Sequence, residues 1–381
     1  MMKAKGLYVH IPFCLSKCAY CDFCSFTSCD VDLIDSYVDA LVREITKYKR
    51  EESIPVDTVF IGGGTPSILT PSQLGRITAA IRDTFDLSLL SEFTVEVNPR
   101  TMNRDKLKDF LSLGVNRISI GLQTICENEL KILGRNQTFE DFLAVYNSAR
   151  EVGFTNISVD IMYGIPSQTT ASLKATLNEV LKLTPEHISL YSLIIEEGTP
   201  IYNNRDTLDI PDDDTVCEMY SIVNSSLGAL GYRHYEISNY AKPGYESKHN
   251  MKYWQLEEYI GVGLSAHSFF EGERFYNFAD RFDPSSLKDY INNKSLKIKE
   301  DEREIDDLLF EYVMLGLRTT MGISLSDFEK RFNKSFIDGR ESRIGAFINN
   351  NLAILDNDRF YLTERGMFVS NSIICELLKG T

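Results

Sequence analysis

The chain predicts an open (β/α)6 barrel, a partial TIM barrel, followed by a C-terminal helical, winged-helix-like module. Three observations predict it. Residues 6–195 alternate short β-like runs with amphipathic stretches whose apolar residues recur at three- and four-residue steps. The β-like runs end in polar or glycine-rich residues, as at the C-terminal mouth of an α/β barrel, where such folds place their chemistry. After Pro200 this rhythm stops, and from Asp301 helices return with one small hairpin.

In chain order, strands are expected at Leu7–His10, Thr58–Ile61, Phe93–Val97, Arg117–Gly121, Ile157–Ile161 and His187–Leu193. Helices are expected between them at Leu33–Lys49, Pro71–Phe85, Arg104–Leu113, Phe139–Val152 and Thr170–Leu183. Strand–helix units in that order imply a parallel sheet. The barrel is assigned to residues 1–205 and a connecting α/β region to 206–300. That region has a helix at Thr215–Leu230, then short strands and loops rich in aromatics and glycine. The module fills 301–381, with helices at Ile305–Leu317, Ser324–Phe332 and Ile337–Asn349. A hairpin at Leu352–Leu362 and a last helix at Thr363–Leu378 complete it.

Composition narrows the partners. Apolar residues make up 43% and charged residues 25%, the balance of a globular protein. A net charge of −15 argues against nucleic acid or an anionic membrane, since both attract basic surfaces. The same holds for the C-terminal module, where residues 300–381 carry fifteen Asp or Glu against ten Lys or Arg. No apolar run approaches the ~20 residues of a transmembrane helix. The start, Met1-Met-Lys-Ala-Lys, leads into a run too short for the apolar core of a signal peptide. A cytoplasmic setting follows as the expectation, and clustered cysteines there mean metal or redox chemistry rather than disulfides.

Four of the eight cysteines fall within residues 14–24. Cys14, Cys18 and Cys21 form a C-x-x-x-C-x-x-C run. Three thiolates this close can converge on one metal centre. On a four-iron cube they leave one iron without a protein ligand, open to chelation by a cofactor or substrate. The competing reading is structural zinc with Cys24 or Cys29 as fourth ligand. Such sites usually join one close cysteine pair to a distant second pair, and no distant pair exists here. Cys24 stays open as a ligand, a neighbouring thiol or a packing residue.

Gly62-Gly-Gly-Thr-Pro66 ends one strand. Glycines there let the backbone approach a ligand and offer free amides to a carboxylate or polar headgroup. It is not a Walker loop, because no Gly-Lys-Ser/Thr follows. Glu96 ends the next strand, where a carboxylate suits an ammonium or sulfonium group, or a salt bridge to a neighbouring helix. Gln123, Arg135 and Asp160 lie at or just past further strand ends. Gln and Asp suit ribose hydroxyls, and Arg suits a carboxylate; each also has an ordinary structural reading. His249-Asn-Met-Lys-Tyr-Trp254 holds one of five histidines and the only tryptophan. A histidine among flat aromatics suits a planar macrocycle with an axial imidazole. The alternative is a hydrogen-bonded turn histidine with Tyr253 and Trp254 as packing. His10 and His267 are read as structural, and Gly261-Val-Gly263 as backbone packing.

Taken together, Tyr8-Val-His-Ile-Pro-Phe-Cys-Leu-Ser-Lys-Cys-Ala-Tyr-Cys-Asp-Phe23, Gly62-Gly-Gly-Thr-Pro-Ser67, Glu96-Val-Asn-Pro99, Ser119-Ile-Gly-Leu-Gln123, Leu133-Gly-Arg135 and Asp160-Ile-Met-Tyr-Gly-Ile-Pro166 resemble the radical S-adenosylmethionine (SAM) superfamily. Their order is that of its coproporphyrinogen-III-oxidase-like branch, and Leu362-Thr-Glu-Arg-Gly366 is similar to the closing helix of that branch. Two subgroups of the branch compete. One is the oxygen-independent coproporphyrinogen III oxidase, which decarboxylates two propionates. The other is the HemW-type haem chaperone. The chaperone resemblance is stronger in three respects. Cys14 is nearly terminal. Phe23 stands where the oxidase has a further cysteine. His249-Asn-x-x-Tyr-Trp254 resembles a motif proposed to bind haem in the chaperone. Cys24 sits one residue beyond the oxidase's extra cysteine and is not equated with it.

The resemblance implies a [4Fe–4S] cluster on Cys14, Cys18 and Cys21, with the fourth iron chelated by the amine and carboxylate of SAM. It implies contacts of Gly63, Gly64 and Thr65 with the methionyl end, Tyr8 packed near the cofactor, and Glu96, Gln123, Arg135 and Asp160 on the rest of SAM. The family reaction is one-electron cleavage of the sulfonium to methionine and a 5′-deoxyadenosyl radical. The resemblance implies haem as cargo, held at His249, Tyr253 and Trp254, with haem-accepting proteins and an electron donor as partners. It also implies a protein without coproporphyrinogen III oxidase activity.

Overall fold

Alternation of residue type along each strand decides which way the sheet faces. The computed structural model describes residues 3–27, 30–280, 283–294, 296–300 and 304–379; Cys29, weighed above as a zinc ligand, lies outside them. Strands β1 (Lys5–Ile11), β2 (Ile54–Gly63), β3 (Glu92–Val97), β4 (Arg117–Gln123), β5 (Ile157–Tyr163) and β6 (His187–Ser192) pair in chain order, each parallel to the next. Alternate side chains point to opposite faces. Val9, Val59, Val95, Ile120, Val159 and Ile188 share one face, all 0% exposed. The other face carries Tyr8 and His10, Thr94 and Glu96, Arg117 and Ser119, Ser158 and Asp160, His187 and Ser189. Register aligns these polar residues in rows: Thr94 with Arg117, Glu96 with Ser119, Ser119 with Ser158, Asp160 with Ser189. Parallel strands covered on both faces are normally apolar throughout. A polar inner face therefore marks a chamber rather than a packed core.

The helices begin where side chains cap them. Asp30 accepts the amides of Asp32 and Leu33 and starts α1 (Val31–Thr46) two residues ahead of the expected position. Thr70 and Gln73 form a capping box for α2 (Pro71–Thr84), and Asn103 caps α3 (Arg104–Ser112). Thr138 with Asp141 and Thr169 with Ser172 do the same for α4 (Phe139–Val152) and α5 (Thr170–Lys182). Each cap contributes about 1 kcal/mol. Leu41, Ile77, Leu107, Ala149 and Leu177, at most 1% exposed, supply the helical side of the apolar layer.

A further parallel strand was not expected. Tyr259–Val262 pairs with β1 and leads into antiparallel strands His267–Phe270, Glu273–Asn277 and Lys297–Lys299. The chain accordingly divides into two compact units, residues 1–222 with 258–300, and residues 223–257 with 301–381.

In the second unit, helices Ile305–Gly316, Leu325–Phe332 and Glu341–Asn349 accompany a three-stranded sheet. The sheet is ordered Ile323–Ser324, Arg359–Leu362, Ala353–Asp356, a winged-helix-like arrangement. Phe328, Phe336 and Phe360 form its aromatic centre, at most 1% exposed. Three expectations need correction. The third helix starts at Glu341, because Phe336 is held in the preceding turn, where its carbonyl accepts from Arg340 Nη1. The last helix is two, Glu364–Phe368 and Ser370–Leu378, because Val369 leaves helical geometry and its amide closes back on Gly366. The His249–Trp254 motif, expected among strands and loops, lies on helix Lys248–Trp254, capped by Ser247.

Candidate functional site

The cysteine loop follows β1 directly and is fastened at several points. Phe26 donates its amide to Pro12, Ala19 donates to Leu133, and the Ala19 carbonyl accepts from Ile201. His10 gives the loop a side-chain anchor: its Nε2 donates to the Cys24 carbonyl at 3.0 Å. A carbonyl can only accept, so Nε2 carries the proton and Nδ1 accepts from the Tyr8 hydroxyl at 3.0 Å. Burial lowers the His10 pKa to about 4 and keeps the ring neutral. Sequence reasoning took His10 as structural; here it joins the cysteine loop to Tyr8.

Cys14 is buried, Cys18 and Cys21 are half-buried, and none is disulfide-bonded. Burial raises the Cys14 thiol, and it raises Cys21 to about 11. Thr65 Oγ1 lies 3.4 Å from Cys14 Sγ. Gly64 leaves no space between them: a Cβ there would stand 2.9 Å from Cys14 Sγ and 2.8 Å from the Phe13 carbonyl. Gly63 has φ +115°, a conformation glycine adopts without penalty. Its amide donates to Glu96 Oε2 at 3.1 Å.

Glu96, Ser119 and Asp160 share one level of the inner face. Ser119 donates to Asp160 Oδ1 at 2.9 Å. Desolvation, and then the negative charge of Asp160, push the Glu96 carboxyl up to about 8. Desolvation raises Asp160 as well, against its bonds from Ser119 and Ser189 and the pull of Arg117 and Arg135. Two carboxyl groups that resist ionising together form a receptor for a cation. One level higher, Gln123 accepts from the Tyr191 hydroxyl at 3.0 Å and holds φ +73°, a strained conformation for a side chain of this type.

Arg135 bridges the strand ends to the cysteines. Its Nη1 lies 3.7 Å from Cys18 Sγ and 3.3 Å from the Tyr20 hydroxyl, while Nη2 donates to Gly121 and Gln137. Its buried Nε has no hydrogen-bond partner. A pocket opens here, with Cys18, Thr65, Asn98, Arg100 and Arg135 among its walls. Behind it, Lys106 Nζ donates to the carbonyls of Ser67 and Thr101. Ser67 Oγ accepts the Asn98 amide at 2.9 Å, so the glycine-rich loop and the Asn98 loop are clamped together.

Cys14, Cys18, Tyr8, Gly63, Gly64, Thr65, Glu96, Gln123, Arg135 and Asp160 thus belong to one chamber in the first unit. Cys21 follows one turn from Cys18, its amide donating to the Cys18 carbonyl. His249, Tyr253 and Trp254 belong to the second unit. Arg117, Tyr20, Gln137, Tyr191 and Lys106 escaped the sequence reading. Arg117, 2% exposed with an unpartnered Nε, had a legible signal in its alternation with Ser119 on an otherwise apolar strand. The others join the site only through tertiary contact.

Three cysteines on one loop suit a cubane, which takes one sulfur on each of three irons. Among the described residues no three His, Cys, Asp or Glu side chains converge on one ion position. Three cysteines on a cube each bind a different iron, so their sulfurs stand farther apart than ligands of one zinc. The orphan Nε of Arg135 and the carboxyl pair supply anion and cation contacts of the kind an amino-acid sulfonium needs; the glycine amides, expected to be free, are engaged, Gly63 with Glu96 and Gly64 with the Ile11 carbonyl.

Comparison with known proteins agrees. Residues 8–180 match the radical SAM superfamily, and residues 305–369 match the HemN C-terminal domain. The chain is 36% identical to the heme chaperone HemW of Lactococcus lactis, over 99% of this chain and 98% of that protein. It is 37% identical to the heme chaperone HemW of Bacillus subtilis, over 97% and 98%. Its fold is that of the coproporphyrinogen III oxidase HemN from Escherichia coli, with TM-score 0.85 and 24% identity, covering 99% of this chain and 90% of that one. The polar chamber, the cysteine loop at its mouth and the full-length likeness to these relatives place the chain in the radical SAM superfamily and, within it, in the HemW family.

Proposed function

We propose that this protein is a haem chaperone, one that binds haem and passes it to acceptor proteins while a [4Fe–4S] cluster and SAM reside in the chamber. The observation that carries this is 36–37% identity to two heme chaperones over nearly the whole of each chain. Phe23 adds support: it is 66% exposed at the position where the oxidase has a cysteine, and an exposed phenyl ring cannot serve as a ligand.

Cys14, Cys18 and Cys21 hold the cluster, and Gly63, Gly64 and Thr65 hold the methionyl end of SAM. The Glu96–Asp160 pair faces its positive charge, Arg135 its carboxylate, Gln123 its ribose, and Tyr8 packs beside it. When bound and reduced, this pair of cofactors supplies one-electron chemistry at the sulfonium. The chain's own residues orient the ligand and shield it from water. Haem is assigned to His249, Tyr253 and Trp254. Acceptor proteins and an electron donor are the partners, and the setting is the cytoplasm. Among the described residues no helix is long and apolar enough to cross a membrane.

The fold likeness to the oxidase defines the second reading. Anaerobic protein with reduced cluster, given SAM and coproporphyrinogen III, is expected to form no protoporphyrinogen. Haem titration is expected to give a saturable Soret band, followed by transfer to an apo haem protein. Turnover without haem binding would establish the oxidase instead.

A further inference from the structure

Within the proposed haem site, the nitrogen that iron would need is already engaged. His249 is 1% exposed. Its Nε2 lies 2.7 Å from the Tyr253 hydroxyl, and the two rings meet edge to face at 90° with centroids 5.2 Å apart. The residues are four apart on the short helix Lys248–Trp254, so their side chains stack on one helix face. Tyr253 is only half-buried, and it covers the imidazole. Imidazole binds iron through a lone pair, and a hydrogen bond to one ring nitrogen selects which nitrogen keeps it. While the Tyr253 hydroxyl sits 2.7 Å from Nε2, iron cannot take that nitrogen.

We propose that Tyr253 is a displaceable latch on the haem ligand His249: its hydroxyl occupies Nε2 while iron is absent, and it must swing away before iron binds there. This rests on the haem reading above and adds its regulation. The surrounding helix strengthens the point. Lys252, 5% exposed, is ion-paired with Glu257 at 3.1 Å, and the Glu257 amide donates to the Lys252 carbonyl at 2.8 Å. The end of the helix is thereby pinned, and the turn bearing His249 does not open freely. Haem entry therefore competes with a bond made inside the protein. Ligand exchange then balances simply: Nε2 gives up its hydrogen bond with the phenol and takes the iron, the single imidazole proton sits on Nδ1 in the bound form, and the phenol proton stays on Tyr253.

The test uses the full-length protein and ferric haem. Stopped-flow Soret measurements are made on wild type, Tyr253→Phe and His249→Ala, with thermal melts as a folding control. Hydrogen exchange of residues 248–254 is followed with and without haem. Tyr253→Phe keeps the ring and loses the latch, so haem should associate roughly fivefold faster, the factor of one ordinary hydrogen bond. His249→Ala should change the haem-bound spectrum. Helix amides should lose protection when haem binds. An unchanged or slower association in Tyr253→Phe would overturn the latch. Wild-type protein that binds no haem would instead defeat the chaperone reading itself.

Discussion

Arg135 places a guanidinium nitrogen 3.7 Å from the sulfur of Cys18, across 117 residues of chain. A fixed cation beside a cluster ligand favours the more negative, reduced form of the iron that the sulfur holds. Arg135→Met should lower the cluster's midpoint potential by ~50 mV, about 1 kcal/mol for a one-electron couple. Arg135→Lys keeps the charge and should stay near wild type. An EPR-monitored redox titration reads both, and equal potentials in wild type and the Met variant would show that the charge is not felt at the cluster.

With SAM placed against the Glu96–Asp160 pair as proposed, its binding is expected to depend on pH. In the empty chamber Glu96 keeps its proton up to about pH 8, whereas a bound cation favours the carboxylate. SAM affinity should therefore rise from pH 6 to pH 8 and then level off, with protons released on binding, as calorimetry in buffers of different ionisation enthalpy would detect. Folding has the opposite sign. The unfolded Glu ionises near 4.5, and the folded one resists ionisation until about 8, so stability falls across that window. Glu96→Gln should weaken SAM binding yet raise the melting temperature of the cofactor-free protein at pH 8 by roughly 2–4 °C.

Gly64 tests the cluster cradle. Any Cβ there meets Cys14 Sγ and the Phe13 carbonyl at under 3 Å. Gly64→Ala should yield folded protein with markedly less iron and sulfide after anaerobic reconstitution. Full iron loading in that variant would show that the loop yields.

Lys106 tests the clamp between the two loops. Lys106→Met leaves the carbonyls of Ser67 and Thr101 without their donor, which costs about 1–3 kcal/mol. SAM affinity should drop about tenfold, 1.4 kcal/mol on the same scale, while iron content stays unchanged. Equilibrium dialysis with iron analysis separates the two effects.

The motifs at the strand ends were legible because they are local: a loop that needs cysteines at fixed spacing, or glycines that admit a ligand, writes them contiguously. Strand β4 shows the other side. Its apolar residues announced a strand, and Gln123 announced the mouth. Arg117 left a trace in its alternation with Ser119, but its neighbour Thr94 was set only by register. Tyr259–Val262 looked like one more short strand among loops, since four residues carry too little periodicity to reveal that β1 would accept them as a parallel neighbour.

By itself, the order of amino acids determined the strand–helix rhythm, the cysteine trio, the glycine-rich turn and the family, because hydrophobic periodicity and ligand spacing act over a few residues. Tertiary structure alone decided that burial and the nearby Asp160 resist ionisation of Glu96, that Arg135 reaches Cys18, and that the Tyr253 hydroxyl meets His249 Nε2. Such relations depend on distances of a few ångströms and on desolvation, and folding creates both.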